Sequence, residues 1–482
     1  MNNKGWFFVL LSSILASCSV GPDYKQPQFF SSSDLQQSLH LSGQNQNLMV
    51  DLEWYKSFDD VVLNHLVARG LNESPNVETA IAKLRQARQN LRINAVKFMP
   101  QIDAAGSYHK AQNPVSYGVP LTNAYYQTGL DASWEIDIWG GGRRLSESSA
   151  ALLKAAAANL QNVQLSLTAE IATDYVTLRQ YQKQLSIARR NLKLQQDIFT
   201  QVKDKHHAGL ADDLSFNQAR YLVENTRSSI PELEKNVRAY QNSLSVLVGQ
   251  LPENYEVLLS ENANDLLSKP QPLDITSIYN LPLSVVRKRP DVQVAEQQLI
   301  AQNAQIGVAI AQLYPSVNLT GFLGWQSANL GHLITPHTDM YSLSPAINLP
   351  LFHFGALVNN VELQKYLTQE QLAQYKSTLL NAALEIRNSM VGLEKESART
   401  ASAAQALSAQ QQVADLTLIK YKQGLIAFSE VLEAQQNLLT AQNTYITANA
   451  EVYRSVVAFY KAVGGGYNPN NQYCSYPKGC CR

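Results

Sequence analysis

The chain has 482 residues, and its 39 lysines and arginines are matched by 39 aspartates and glutamates, so the formal net charge is zero. That balance supplies neither a basic field for nucleic acid nor a strongly acidic tail. Of the four cysteines, Cys18 lies near the start, while Cys474, Cys480 and Cys481 crowd the end, where they read as part of a disordered tail with no assigned site.

Residues 1–17 read as a secretory signal peptide. Asn2, Asn3 and Lys4 form a weakly basic head, and GWFFVLLSSILA is an apolar stretch too short to span a bilayer. The stretch closes on LASC, which resembles the cleavage box of bacterial lipoproteins, where the cysteine becomes the lipidated N-terminus. Cys18 is therefore the expected lipidation site. Ser19 follows it, in place of the aspartate that favours inner-membrane retention in such lipoproteins. No later segment carries the ~20 consecutive apolar residues of a membrane helix. If the chain crosses a membrane, it does so as strands.

The rest of the chain is duplicated at a fixed offset. Pro75 matches Pro290, Pro100 matches Pro315, and Gly106 matches Gly321. Gly140 matches Gly355, Gly209 matches Gly424, and Val248-Gly249 matches Val463-Gly464. Each pair is separated by 215 positions, with no insertion between the anchors.

Each copy opens with a helix between two prolines, at 75–100 and 290–315. The apolar period then changes from 3.6 to 2. Ile102, Ala104, Gly106 and Tyr108 alternate with polar neighbours, as do Val317, Leu319, Gly321 and Leu323. After a loop (Pro114, Gly118 and Pro120 in the first copy, His332 to Pro336 in the second), Leu130, Ala132, Trp134, Ile136 and Ile138 alternate. Their counterparts are Leu343, Ile347, Leu349 and Leu351. These are strands with one apolar face, expected at 101–108, 130–138, 317–325 and 341–351. From Arg143 to His207 the chain reads as one helix ~100 Å long. Leu160, Val163, Leu167, Ile171, Tyr175, Leu178, Tyr181, Leu185, Ala188 and Leu192 form its coiled-coil seam. Ala155 to Ala158 allow close helix approach. Gly209 or Gly424 then reverses the chain into a second long helix.

Four short strands cannot close a barrel, since the smallest transmembrane barrels have about eight. Closure must come from several chains, and strand counting alone does not choose between two and three. LASC, the GPDY after it, the duplication, WEIDIWGGGRR at a strand-to-helix join and YKQGLIAFSEVLEAQQNLLTAQ together resemble the outer membrane factor family of TolC, in its lipidated OprM/NodT branch. The resemblance runs from Cys18 to Gly466. It implies a mixed α and β membrane fold: a homotrimer with a twelve-strand outer membrane barrel, four strands per chain, continuous with a long α-helical periplasmic tunnel. The expected divisions are a lipid-anchored equatorial segment at 18–70, repeats at 71–250 and 286–465, an equatorial linker at 251–285 and a tail at 466–482. The implied function is the passive exit duct of a tripartite efflux or type I secretion system. Its partners would be a periplasmic adaptor and an inner membrane pump of RND or ABC type, and its only cofactor the covalent lipid on Cys18. The alternative is a lipid-anchored periplasmic coiled-coil scaffold without a pore, which would not need the strands.

Glu430 and Glu433 lie three apart on one helical face. Read locally, Ser429 caps the helix and an acid in its first turn complements the helix dipole. Asp212 and Asp213 do the same after Gly209. An acid–base role needs a pocket and partner groups; no nucleophile, phosphate loop or spaced metal cluster lies nearby, and no enzyme is expected. The family resemblance adds a third reading. It places acids of this helix at the constricted periplasmic mouth, with Glu433 on the acidic position of a VLDAQ-type motif. A ring of such carboxylates repels, raises some pKa values and attracts cations. Gln436 stands where relatives tend to carry an arginine, so no salt-bridge lock is expected there. The first copy has Ser215 and Gln218 at the matching positions. The resemblance also makes the tips, Gly209, Leu210, Gly424 and Leu425, the adaptor-contact sites. His206 and His207, adjacent on a helix, diverge by ~100° and read as a solvated tip. Tyr125, Tyr126, Trp134, Trp139 and Trp325 suit an aromatic belt at a lipid interface, or packing within the barrel and its loops.

Overall fold

The computed structural model describes residues 19–31, 53–113, 121–252 and 285–465. The signal stretch, Cys18, the loop prolines Pro114 and Pro120, most of the linker and the cysteine-bearing tail lie outside the described residues.

A 3₁₀ turn, Trp54–Phe58, leads into α1 (Val61–Glu73), whose start is capped by Asp60 accepting from the amides of Val62 and Leu63. Pro75 opens α2 (Pro75–Val96), where its missing N–H costs nothing. Strands β1 (Gln101–Asn113) and β2 (Leu121–Ile136) follow, then α3 (Gly141–His207) and α4 (Asp213–Leu247). After a one-turn α5 (Val285–Lys288) the series recurs as α6 (Pro290–Ala311), β3 (Ser316–Ser327), β4 (Asp339–Asn348), α7 (Ala356–Lys422) and α8 (Phe428–Ala462). The three helices of each series have equal lengths, 22, 67 and 35 residues, and each pair starts 215 positions apart. At 67 residues, α3 and α7 are each ~100 Å long.

The strands form one antiparallel sheet in the order β1-β2-β3-β4. The hairpin registers repeat as well: Gln101 pairs with Ser133, and Ser316 with Asn348. The second pair is the first moved by 215. One face carries Ile102, Leu130, Trp134, Val317, Leu319, Leu323, Leu343 and Ile347; the other carries Asp103, Asp131, Glu135, Asn318, Thr320 and Ser344. Among the described residues no helix is long and apolar enough to cross a membrane.

The strands differ from the expected bounds. β1 runs on to Asn113 and β2 begins at Leu121, because backbone pairing persists where the apolar alternation has faded into Ser107, His109, Thr122 and Asn123. At the other end β2 stops at Ile136 instead of 138, since Asp137 turns to serve the next helix: its carboxylate accepts from the amides of Gly142 and Arg143. β4 stops at Asn348 instead of 351, just before Pro350. Helix α3 accordingly starts at Gly141, two residues before Arg143.

The chain divides into two compact units. One takes residues up to Pro27, Lys83–Ala157 and Val294–Lys376, and includes the sheet; the other takes Gln28–Ala82, Ala158–Gln293 and Ser377 onward. In the second unit the seam residues Leu160, Leu167, Ile171, Tyr175, Leu178, Leu185 and Ala188 are buried, while Val163, Tyr181 and Leu192 are half-buried. Trp54 stacks on Tyr460 at 5.1 Å, and Gly70 leaves room for the Ile171 side chain. Buried Asp60 also accepts from the Tyr175 hydroxyl at 2.9 Å, and that oxygen in turn accepts from Arg179 at 2.9 Å. Burial, the dominant influence, pushes the Tyr175 phenol well above its ordinary range, so it stays protonated as a donor.

Candidate functional site

Two regions carry the residues that the sequence singles out: the strand-to-helix join and the hairpin tips.

At the join, the WEIDIWGGGRR stretch is held by its aromatics and by one arginine. The Trp134 indole donates to the Phe98 carbonyl at 2.7 Å, and the Trp139 indole donates to the Pro315 carbonyl at 2.8 Å while stacking on Tyr314. These two tryptophans therefore fasten the join. Tyr126 packs on Tyr108 and Tyr125 on the His109 ring, across β1 and β2. Arg144 is buried and binds the segment that follows Cys18. It donates to the carbonyls of Val20 and Gly21 at 3.1 and 3.2 Å, to Asp23 at 2.7 Å and to Glu147 at 2.8 Å. Burial alone would lower its pKa; the hydrogen bonds and charges of Asp23 and Glu147 outweigh that and raise it, so the guanidinium stays charged. Val20 donates back to the Trp139 carbonyl, Asn303 donates to the Pro22 carbonyl, and Tyr24 and Gln26 both reach Glu296. Gly21 lies against Gly307, where a Cβ would stand 2.5 Å from the opposing Cα. GPDY and GGGRR are separate marks in the sequence. Their contact spans more than 120 positions, and no local periodicity announces it.

At the tips the two copies share one turn. Leu210 donates its amide to Lys205 and Gly209 to His206; Leu425 donates to Lys420 and Gly424 to Tyr421. This is the Schellman pattern, which needs a left-handed residue, and Gly209 and Gly424 have φ of +69° and +76°. The leucines are left in the open, 78 % and 68 % exposed. The entries into the next helix differ. Asp212 caps α4, and hydrogen bonds from Ser215 hold its carboxyl below the usual range. Helix α8 starts instead at Phe428, with Ala427 in the cap position and no side-chain cap, so Ser429 is not the N-cap. The reason is packing: Phe428 and Val431 are buried with Ile198, Val202 and Ala219, which fixes where the helix begins.

The same packing decides where the two glutamates point. The buried face of α8 carries Phe428, Val431, Ala434, Gln435 and Leu438. Glu430 and Glu433 lie off that face; both are exposed, and neither side chain makes a hydrogen bond or ion pair among the described residues. Glu430 lies in the first turn, where it complements the helix dipole, and Glu433 lies beyond it. In the first copy, His206 bonds Asp213 at 2.7 Å and stacks on Phe216, with the His207 ring turned 88° away. Lys205 lies over the Tyr421 ring.

The family described as outer membrane efflux protein matches the chain twice, over residues 66–250 and 281–465, again at an offset of 215. The chain belongs to the outer membrane efflux protein family. Nodulation protein T of Rhizobium leguminosarum bv. trifolii is 28 % identical over 96 % of this chain and 97 % of its own length. The toluene efflux pump outer membrane protein TtgF of Pseudomonas putida is 28 % identical over 95 % of this chain and 96 % of its own. The solved outer-membrane channel OprN superposes with a TM-score of 0.84 at 30 % identity, covering 93 % of this chain and 99 % of that one. This efflux protein is thus an outer membrane channel of an efflux system. Its four strands, apolar on one face and polar on the other, are the part that a scaffold without a pore would lack.

Proposed function

We propose that three copies of this efflux protein close a twelve-strand barrel, and that Glu430 and Glu433 line an acidic constriction at its periplasmic end. The observation that carries this reading is the placement of the two carboxylates: exposed, without side-chain partners among the described residues, and held off the buried face of α8 beside the tip turns. Gathered around one opening, such carboxylates attract cations and repel one another. The exposed tip leucines Leu210 and Leu425, together with Gly209 and Gly424, supply the contact for a periplasmic adaptor, which connects the duct to an inner membrane pump of RND or ABC type. The lipid on Cys18 anchors the chain, supported by the docking of Val20 to Gln26 directly after it.

The test is the reversal potential of the purified protein in a planar bilayer under a KCl gradient. The native channel should favour potassium, and Glu430→Ala with Glu433→Ala should abolish that preference. An unchanged reversal potential in the double variant overturns the constriction.

A further inference from the structure

The polar face of the sheet is interrupted at one level. The directly opposite residues there are Ala105, Gly129, Gly324 and Met340, a row across all four strands without a polar side chain. On one side of it lies the row of Ser107, Gln127 and Gln326; on the other, Asp103, Asp131, Phe322 and Ser342. The two glycines bring β2 and β3 close together. A Cβ on Gly129 would stand 2.7 Å from the Gly324 Cα, and one on Gly324 would stand 2.6 Å from the Gly129 Cα. Glycine inside a strand marks such close approach. The Phe322 ring fills the notch that results. Its far tip, Cζ, lies 2.7 Å from the place of either Cβ, so the ring is laid along the wall against the glycines.

Resting on the three-chain reading above, which turns this face inward, we propose that Phe322 is a cargo contact inside the barrel, taking cations that carry an apolar or aromatic body. The ring is half-buried, so part of its surface stays open for contact. An aromatic face attracts a cation held within ~6 Å of its centroid and stacks on other rings. The residue directly opposite on β2, Asp131, sets the sign of the charge. It is exposed and makes no side-chain hydrogen bond or ion pair among the described residues. Among those residues no lysine or arginine shares the polar face of the sheet. Covering strand glycines is also a structural task of aromatic side chains. Leucine fills the same notch without offering a ring, which separates the two roles.

Ser342, exposed and directly opposite Phe322, is the reporter position. With Cys474, Cys480 and Cys481 changed to serine, Ser342→Cys is labelled in outer membranes by water-soluble sulfonatoethyl methanethiosulfonate. Benzyltrimethylammonium or tetramethylammonium is added as protectant. Each carries one positive charge, so the carboxylates of the duct act on both alike and the ratio of protecting concentrations isolates the ring. With Phe322 in place the benzyl compound should protect at an about two- to tenfold lower concentration, the span of an aromatic pair. The ratio should fall toward one in Phe322→Leu and Phe322→Ala and persist in Phe322→Tyr. A ratio of one with Phe322 in place, or an unchanged ratio in Phe322→Leu, overturns the contact and leaves the duct standing. Leu343→Cys, on the apolar face, should stay unlabelled. Labelling there in place of Ser342→Cys turns the face outward and overturns the three-chain duct together with the contact. No labelling at either position closes the lumen at this level and overturns the contact as well.

Discussion

Arg144→Ala should release the segment after Cys18 while leaving the sheet in place. The side chain is 6 % exposed and serves two backbone carbonyls and two carboxylates. Asp23 is almost fully solvated and Glu147 partly so, and pairs of that kind are worth ~0–1 kcal/mol. The carbonyls of Val20 and Gly21 count for more: a hydrogen bond from a charged donor is worth ~1.5–3 kcal/mol. Taking the low end for each, detachment becomes easier by ~3 kcal/mol, on the order of a hundredfold in population. Hydrogen exchange reads this directly, because the Val20 amide is tied to the Trp139 carbonyl at 3.0 Å and exchanges through local opening. Its exchange should accelerate by ~100-fold while amides within the β2–β3 ladder keep their rates. Arg144→Lys retains the charge but not the fork and should fall between the two. Native protection of Val20 in Arg144→Ala would refute the reasoning.

Three further outcomes follow from the packing. Asp60→Ala removes the α1 cap and the Tyr175 acceptor beside buried Arg179, so it should cost ~3 kcal/mol in urea denaturation, against ~1 for Tyr175→Phe. Burial raises the Asp174 carboxyl, partly offset by the Ser243 hydroxyl. A raised folded-state value means that its charge destabilises at neutral pH and that the penalty fades as pH falls toward the ordinary carboxylate range. Asp174→Asn should therefore be the more stable form at pH 7, with the gap closing on acidification in thermal melts at stepped pH. Gly424→Ala adds a Cβ in open space and pays only the left-handed backbone cost of ~1–2 kcal/mol. Gly249→Ala drives the same atom into the Glu73 carbonyl and should lower the melting temperature more.

The long helices were legible because their signal is regular and local. The run from Arg143 to His207 placed α3 within two residues, and the offset of 215 carries its features to the second copy. Strand ends were less legible because the apolar alternation marks only part of each strand: His109 and Thr122 pair through backbone groups that the alternation does not register. The start of α8 escaped because Ser429 is the better local cap, yet burial of Phe428 beside Ile198 and Val202 outweighs a capping hydrogen bond. Arg144 escaped for the opposite reason. The second arginine after three glycines has no local signature of what it binds, and all its partners but Glu147 arrive from the far N-terminal part of the chain.

The central claim is a duct whose cation preference is set by the carboxylates at its tips. Single-channel recording of the purified native protein beside Glu430→Ala with Glu433→Ala measures it most directly. Discrete openings are expected in both, cation-preferring in the native protein and without that preference in the double variant. No channel in either form, or the same cation preference in the two, would contradict it.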